Sequence, residues 1–300
     1  MSVNKLNQIT AIMVLYDTDD IVFKCLENLK NIKIIIADNG KNKLETIEKI
    51  KSYKNIIKYF KFKKNIGYGR ANNFCQKFVR TEYTLLIEPD VLIKEDDILR
   101  LVNSYDIYPD AGILMPTIIN EKHEIIDRLT NLPEHLSEGI NKDSKIEHFF
   151  HGDVCINFDL SAIMLFKNST LNKYGLFNRK FFIYWEDCYL CRWYKKNNLP
   201  IIKIFNSQAI HYPGKSTQWN FLTKLIGMKH YLKSSLIYYH TPKEHSHLKK
   251  RFFLYLFRTI SYLLILNFNN SVKNFAKFCA ICEYMEIFKF HKRFFKEIKK

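Results

Sequence analysis

From Ile9 to Pro116 the chain alternates short β-type apolar runs with amphipathic stretches, and few folds tolerate that alternation. The runs Ile9–Leu15, Lys33–Ala37, Ile56–Phe62, Tyr83–Ile87 and Gly112–Met115 predict strands. Between them, Asp20–Leu29, Leu44–Tyr53, Gly69–Phe78 and Asp96–Tyr105 predict helices. Asp19 or Asp20 is placed to cap the first, and Lys94-Glu95-Asp96-Asp97 sets acid at the start of the last. Strands alternating with helices imply an α/β fold, a mostly parallel sheet covered by helices on both faces. With 47% hydrophobic residues the chain can bury the core this requires.

Beyond Pro116 the pattern changes twice. Thr117 to Asp153 is polar and includes Pro133 and Gly139, which reads as a long excursion able to cover a cleft. Ala162–Phe166 then predicts a strand, Ser169–Tyr174 and Asp187–Lys196 helices, and Ile201–Phe205 and Gln208–His211 two short strands. After Pro213, Phe221–His240, Lys249–Phe268 and Val272–Lys296 read as three helices rich in Phe, Tyr, Leu, Ile and Lys. The chain thus divides into an α/β domain, 1–218, and a C-terminal helical appendage, 219–300.

Charge follows the same division. The net charge is +17, and from 221 to 300 sixteen Lys and Arg face only four acids. Phe252–Phe268 is the most apolar run, but it is shorter than the ~20 residues of a spanning helix and Arg258 interrupts it. Two readings of 219–300 stay open. One is a set of amphipathic helices lying on an anionic membrane surface; the other is a helical cap packed on the α/β domain. Nucleic acid is the poorer partner, because the basic residues are spread among large apolar runs.

The polar start, Met1 to Thr10, has no apolar signal core, so a cytoplasmic location is expected, peripheral at the inner membrane face if lipid is contacted. Seven scattered cysteines fit reduced thiols. The pairs Cys188/Cys191 and Cys279/Cys282 fall in helix-like stretches without the Gly or Pro of a zinc turn, and read as core.

The chemistry lies in the first two-thirds. Asp38 follows the run Lys33–Ala37, and Asp90 stands in Glu88-Pro89-Asp90-Val91 after Thr84–Ile87. In open α/β sheets the ligand crevice lies at that carboxyl edge. Two carboxylates there can hold a divalent cation or polar ligand groups, and a third, from Glu186-Asp187, can act as a base. Asn65-Ile66-Gly67-Tyr68-Gly69-Arg70 follows a predicted strand and opens a helix. Glycines at such a turn let backbone N–H groups approach a phosphate, and Arg70 adds a fixed positive fork. A bare Gly-x-Gly equally describes a tight turn.

Six elements in order carry a resemblance: Val14-Leu15-Tyr16, Asp38-Asn39-Gly40, Asn65-Ile66-Gly67-Tyr68-Gly69, Glu88-Pro89-Asp90, the stretch Gly175 to Asp187, and His211-Tyr212-Pro213-Gly214-Lys215-Ser216. Together they resemble the inverting glycosyltransferases of family 2, with the GT-A (Rossmann-like) fold, and most nearly the rhamnosyltransferase-like branch. Gly175-Leu176-Phe177-Asn178 through Phe181-Phe182 to Glu186-Asp187 is similar to that family's Gly-Gly-Phe-Asp…Glu-Asp element. The likeness runs from Thr10 to Ser216 and fades in the tail.

The resemblance implies roles. Tyr16 and Asp38 contact the nucleotide base and ribose, Asp38 accepting a hydrogen bond from the base. Asn65, Gly67 and Arg70 line the donor pocket. Asp90 is the surviving acid of the metal motif, holding Mg²⁺ or Mn²⁺ on the diphosphate. Glu88 stands where that motif usually has Asp or Asn, and His211 is a further metal or diphosphate ligand. Asp187 is the general base, Glu186 its neighbour, and Tyr184 and Trp185 stack on the acceptor sugar. The function implied is transfer, with inversion, from dTDP-rhamnose or a UDP-sugar to a growing bacterial surface glycan, lipid-linked.

Other classes were weighed on the residues. Nucleotidyl transfer wants a Gly-rich basic loop after the first strand, and Val14-Leu15-Tyr16-Asp17 offers none. The alternatives kept are a catalytically degenerate GT-A scaffold and a basic protein that binds membrane or nucleic acid. Retention of Asp38, Asp90 and Asp187 argues against the scaffold.

Overall fold

The computed structural model describes residues 5–40, 42–126, 132, 151–159, 162–214, 221–241 and 246–287. Most of the predicted excursion over 117–153, Lys215-Ser216 and the end of the last predicted helix lie outside them. The strands are β1 (Ile9–Leu15), β2 (Lys33–Asp38), β3 (Ile56–Lys61), β4 (Tyr83–Ile87), β5 (Val91–Ile93), β6 (Ile113–Ile119), β7 (Val154–Ile156), β8 (Ile163–Lys167) and β9 (Ile201–His211). The helices are α1 (Ile21–Asn28), α2 (Leu44–Lys51), α3 (Tyr68–Gln76), α4 (Glu95–Ile107), α5 (Asn168–Tyr174), α6 (Glu186–Lys196), α7 (Phe221–Tyr238), α8 (Ser246–Leu264) and α9 (Phe268–Tyr284).

All nine strands join one sheet in the order β3-β2-β1-β4-β8-β6-β9-β5, with β7 also on β9. The pairings make β1, β2, β3, β4, β6 and β9 point the same way, while β5, β7 and β8 run against them. The sheet is therefore mostly parallel. Its two faces carry separate cores, as the two-residue period of a strand dictates. Ala11, Met13 and Leu15 of β1 enter one core with Val22 and Leu26 of α1, Ile50 of α2 and Leu101 of α4. Ile12 and Val14 enter the other with Ala71 of α3, Leu171 of α5 and Leu190 and Tyr194 of α6. Helices thus cover both faces, and β1 is buried along its whole length.

Because these strands share a direction, the residues after β1, β2 and β4 and at the end of β9 all lie at one sheet edge. That edge gathers Tyr16, Asp38, Glu88, Asp90 and His211. β5 was not expected from the sequence. Its Val91 pairs antiparallel with His211, and the Tyr212 N–H donates to the Asp90 carbonyl at 3.0 Å, so Asp90 is drawn against the end of β9.

Several element bounds differ from expectation for local reasons. β9 is one strand, not two, because a register shift absorbs the irregular residues: Pro116 pairs with Ile204, but Thr117 pairs with Gln208. Asp97 pins that bulge, its carbonyl accepting Ser207 Oγ at 2.9 Å and its Oδ1 accepting the Gln208 N–H at 3.0 Å. Asp20 occupies the N-cap position of α1 but makes no side-chain cap bond. The helix expected to run through Phe268 stops at Leu264, and the next starts at Phe268 rather than Val272. Asn267 caps it, its side chain accepting the Asn270 N–H at 3.2 Å.

The chain forms two compact units, one of residues 1–179 and 186–218, the other of 180–185 and 219–300. In the second, α9 packs on both α7 and α8. Glu283 of α9 pairs with Lys229 at 3.0 Å and Lys233 at 3.3 Å. Burial alone would raise its carboxyl, but these two lysines hold it at about 2. Residues 180–185 dock into this unit: Phe182 stacks on His230 with centroids 4.3 Å apart, and Ser234 Oγ donates to the Ile183 carbonyl at 3.0 Å.

In the first unit a glycine sets how closely α6 can approach the sheet. A Cβ on Gly112 would stand 2.6 Å from Tyr194 Cδ1 and 2.7 Å from Leu199 Cβ. Gly112→Ala is expected to cost about 1–3 kcal/mol of stability, the usual penalty of overpacking. Urea denaturation checks this; an unchanged midpoint would mean that α6 has slack at this contact.

Candidate active site

Asp38 ends β2 and is fully buried. Its Oδ1 accepts the Gly40 N–H at 2.9 Å and Asn42 Nδ2 at 2.8 Å; its Oδ2 accepts Tyr59 OH and Lys61 Nζ, each at 2.6 Å. A carboxylate has about four acceptor positions, and all four are used. Asp38 therefore organises the loop after β2, and a base can reach it only by displacing one of these donors. Lys61 is the exposed member of the group, 43% accessible, and it also donates to the Gly40 carbonyl at 2.8 Å. Gly40 must be glycine: a Cβ there would lie 2.3 Å from the Asp17 nitrogen and 2.9 Å from Tyr16 Cα. This close approach sets Tyr16 beside the loop. The Tyr16 hydroxyl hydrogen-bonds Asn65, though burial and Asp17 together raise its pKa.

The Gly67 turn is built as the sequence suggested. Gly67 has φ 93°, a left-handed value that favours glycine, and it stands at the N-cap of α3. Its N–H donates to Asn65 Oδ1 at 2.8 Å, and its carbonyl accepts Asn39 Nδ2 at 3.2 Å. Arg70 is turned toward the protein, its Nε and Nη2 donating to the Arg179 carbonyl at 2.9 and 2.8 Å. Asn73 and Phe177 exchange two hydrogen bonds, tying α3 to the segment that leads to Glu186-Asp187.

At the other side of the edge the structure brings Glu88, Asp90 and His211 together. His211 Nε2 lies 3.8 Å from Glu88 Oε2 and 3.7 Å from Asp90 Oδ1, too far for hydrogen bonds. One donor atom from each residue lies within 4.8 Å of the others. Two carboxylates and an imidazole suit a hard or borderline divalent ion, and ligand distances of about 2.0–2.6 Å let one ion reach all three. Burial lowers the His211 pKa more than Asp90 and Asp159 raise it, which favours the neutral, ligating form.

Asp187 and Glu186 begin α6 on the same edge. Burial, then Asp90 and Asp187, pushes the Glu88 carboxyl up to about 8. Glu186 is raised well above the carboxylate range by burial and then by Asp187. Among the described residues its buried Oε2 has no hydrogen-bond partner. Asp187 is raised to about 6, chiefly by burial, although the first turn of α6 works against this, with the Cys188 N–H donating to its Oδ1 at 2.8 Å. Such a group is ionised at neutral pH yet basic enough to accept a proton.

Tyr184 and Trp185 belong to the second unit and pack there with α7. Trp185 lies 5.7, 5.1 and 5.5 Å from Tyr231, Tyr238 and Tyr239, and Tyr184 lies 5.8 Å from Tyr231. Two further residues were missed by sequence reasoning. Lys203 of β9 is fully buried, and its Nζ is 2.5 Å from Asp159 Oδ2. A lone Lys inside Ile201-Ile202-Lys203-Ile204 was the available signal, since a buried lysine demands a partner. Asp159 acts electrostatically on both Asp187 and His211; nothing in its neighbouring residues marks it. Cys188, Cys191, Cys279 and Cys282 are free and buried.

Residues 10–167, more than half of the chain, match the family model "Glycosyl transferase family 2". The Rhamnosyltransferase WbbL of Escherichia coli K12 is 24% identical over 250 residues, 76% of this chain and 90% of that protein. Among solved structures, S. aureus TarS 1-349 superposes with a TM-score of 0.52 at 12% identity, covering 93% of this chain and 92% of that one. GalNAc-T7 with UDP, GalNAc and Mn²⁺ gives 0.55 at 12% identity over 75% of this chain, which spans only 47% of GalNAc-T7. The solved structures share the fold, and the family match spans Tyr16, Asp38, Glu88 and Asp90 of the sheet edge, so the chain belongs to glycosyl transferase family 2, as a rhamnosyltransferase-like glycosyltransferase of GT-A fold.

Proposed function

We propose that the chain transfers a sugar, with inversion, from dTDP-rhamnose or a UDP-sugar to a growing bacterial surface glycan carried on a lipid. The observation that carries this reading is the pairing of a partly buried base, Asp187, with the Glu88, Asp90 and His211 cluster on one sheet edge. An inverting transfer needs chemistry of two kinds there. Asp187 takes the proton of the acceptor hydroxyl as its oxygen attacks the anomeric carbon, and the bond from that carbon to the diphosphate breaks with its electron pair. Glu88, Asp90 and His211 would hold Mg²⁺ or Mn²⁺, which when bound offsets charge on the leaving diphosphate. Asn65 and the Gly67 turn line the donor site, with Arg70 at its rim. Tyr16 flanks the base, and opening of the Asp38–Lys61 pair presents an acceptor to the imide N–H of uracil or thymine. Glu186 and the rings of Tyr184 and Trp185 serve the acceptor.

The relatives are consistent with these donors. GalNAc-T7 is crystallised with UDP and Mn²⁺, TarS with UDP-GlcNAc, and WbbL is a rhamnosyltransferase.

Thermal shift with UDP, dTDP, GDP and CDP, each with Mn²⁺ and again with chelator, tests the donor site without an acceptor. A uracil or thymine diphosphate at 100 times its Kd is expected to add about 2.7 kcal/mol of stability, lost with chelator and in Asp90→Ala. No response to any nucleotide would return the weight to a degenerate scaffold.

Asp187→Asn is expected to lower kcat by about 10²–10⁴-fold while nucleotide binding persists. In the wild type, the base is lost as pH falls, so kcat/KM should drop below a midpoint near 6. A flat profile between pH 5 and 8 in single-turnover transfer assays would remove Asp187 from that role.

The raised carboxyls also have a stability consequence. Glu88 binds its proton more tightly folded than unfolded, so its stabilising contribution is complete at low pH and is lost as pH rises through about 8. The metal-free protein is therefore expected to melt at lower temperature at pH 9 than at pH 6. Mn²⁺ should restore more at the higher pH, where its ligands are deprotonated. Equal Mn²⁺ shifts at both values would contradict the assignment of Glu88 as a ligand.

A further inference from the structure

We infer that the outward face of α8 and the turn joining it to α9 form a docking ridge for an anionic phospholipid bilayer. Among the described residues of α8, Leu248 alone is buried. Phe253, Phe257, Ile260 and Leu264 recur at intervals of four, three and four, which puts them on one helical face, and they are 51 to 78% exposed. The opposite face is already used. Phe252 packs on Phe278 with centroids 4.9 Å apart, Ser271 Oγ donates to the Thr259 carbonyl at 2.9 Å, and Lys277 Nζ lies 5.6 Å from the Tyr255 ring. A helix that is apolar on both its packed and its solvent side wants a second apolar medium.

The turn extends the ridge. Ile265, Leu266 and Phe268 are all more than half exposed. Leu266 adopts φ 57°, a left-handed position where Gly or Asn is the low-cost residue. Ordinary turn chemistry is thus set aside for a row of large apolar side chains at the tip of a helical hairpin. The ridge on α8 runs about 16 Å from Phe253 to Leu264, at the helical rise of about 1.5 Å per residue. No helix among the described residues is long and apolar enough to cross a membrane, so the ridge lies on the surface rather than through it.

Charge selects the occupant. Lys249 and Lys250 are exposed one turn before Phe253 and Leu254, and Arg258 is exposed beside the ridge. The stretch from 221 to 300 carries sixteen basic residues and four acids. A second copy would bring the same excess of positive charge against itself, whereas anionic headgroups complement it and acyl chains take the Phe and Leu side chains. The inference stands apart from the sugar chemistry, since it needs neither donor nor acceptor.

Co-sedimentation of the full chain with vesicles tests it. Binding is expected to phosphatidylcholine vesicles containing 30% phosphatidylglycerol, with little to phosphatidylcholine alone, and to weaken in high salt. The double variant Phe257→Glu, Leu264→Glu should reduce the partition coefficient at least tenfold, and Lys249→Glu, Lys250→Glu by about tenfold or more. Because all four side chains are exposed, melting temperature and circular dichroism should not change. Absence of wild-type binding to the anionic vesicles, or binding unaltered in the Glu variants, would overturn the ridge. Wild-type dimers in velocity sedimentation that the Phe257→Glu, Leu264→Glu variant abolishes, without vesicle binding, would assign the face to a second copy instead.

Discussion

Like charges repel most where water is scarce, and the sheet edge of this protein sets Glu88 against Asp90 and Asp187, and Glu186 against Asp187 and Glu88. The buried Lys203 pairs with Asp159. Burial first, and then Asp90 and Asp187, pushes Glu88 to about 8, while burial and Asp159 raise Asp187 to about 6. A site in that condition is primed to exchange protons for a divalent ion. Burial likewise tunes the proposed base, since a carboxylate in open water would be a weaker acceptor for a sugar hydroxyl. The proposed metal affinity and basicity thus both rest on carboxylates buried at this edge.

The fold supplies the convergence. Glu88 and Asp90 follow β4, His211 ends β9 and Asp187 begins α6, segments far apart in sequence. Shared strand direction brings the first two segments to one edge, and the β5–β9 ladder then sets Val91 opposite His211. The bulge opposite Pro116 and Thr117 shifts the last four residues of β9 relative to β6, so Asp97, which fixes that bulge from α4, also governs where His211 falls. A side chain remote from the cluster thus holds His211 in register.

The parallel core was legible because it is written in periodicity: β1 and β4 lie where the apolar runs place them. β5 and β7 were not, since three-residue strands hold no period and exist only through their pairing with β9. The candidate site was legible at the end of a predicted strand and in a motif, as with Asp90 and Asp187. It was illegible where the purpose is supplied by distant partners. Nothing in the sequence near Asp38 announces that Tyr59 and Lys61 occupy one of its oxygens, because those donors arrive from the neighbouring parallel strand. Asp159 is silent for the same reason, its effect on Asp187 and His211 being a product of folding.

Tyr184 and Trp185 add a last constraint. Both adopt left-handed backbone, φ 66° and 67°, and a bulky residue there costs about 1–3 kcal/mol. Such a pair persists only when its surroundings fix it more firmly than its own preference opposes it. The rings of Tyr231, Tyr238 and Tyr239 provide that hold within the second unit, each aromatic contact being worth about 0.5–1.5 kcal/mol. Glu186 and Asp187 follow immediately in the chain. A proposed base whose value depends on burial and on the charge of Asp159 needs a backbone with few alternative conformations. Packing these aromatics in a cluster gives residues 184 and 185 that restriction.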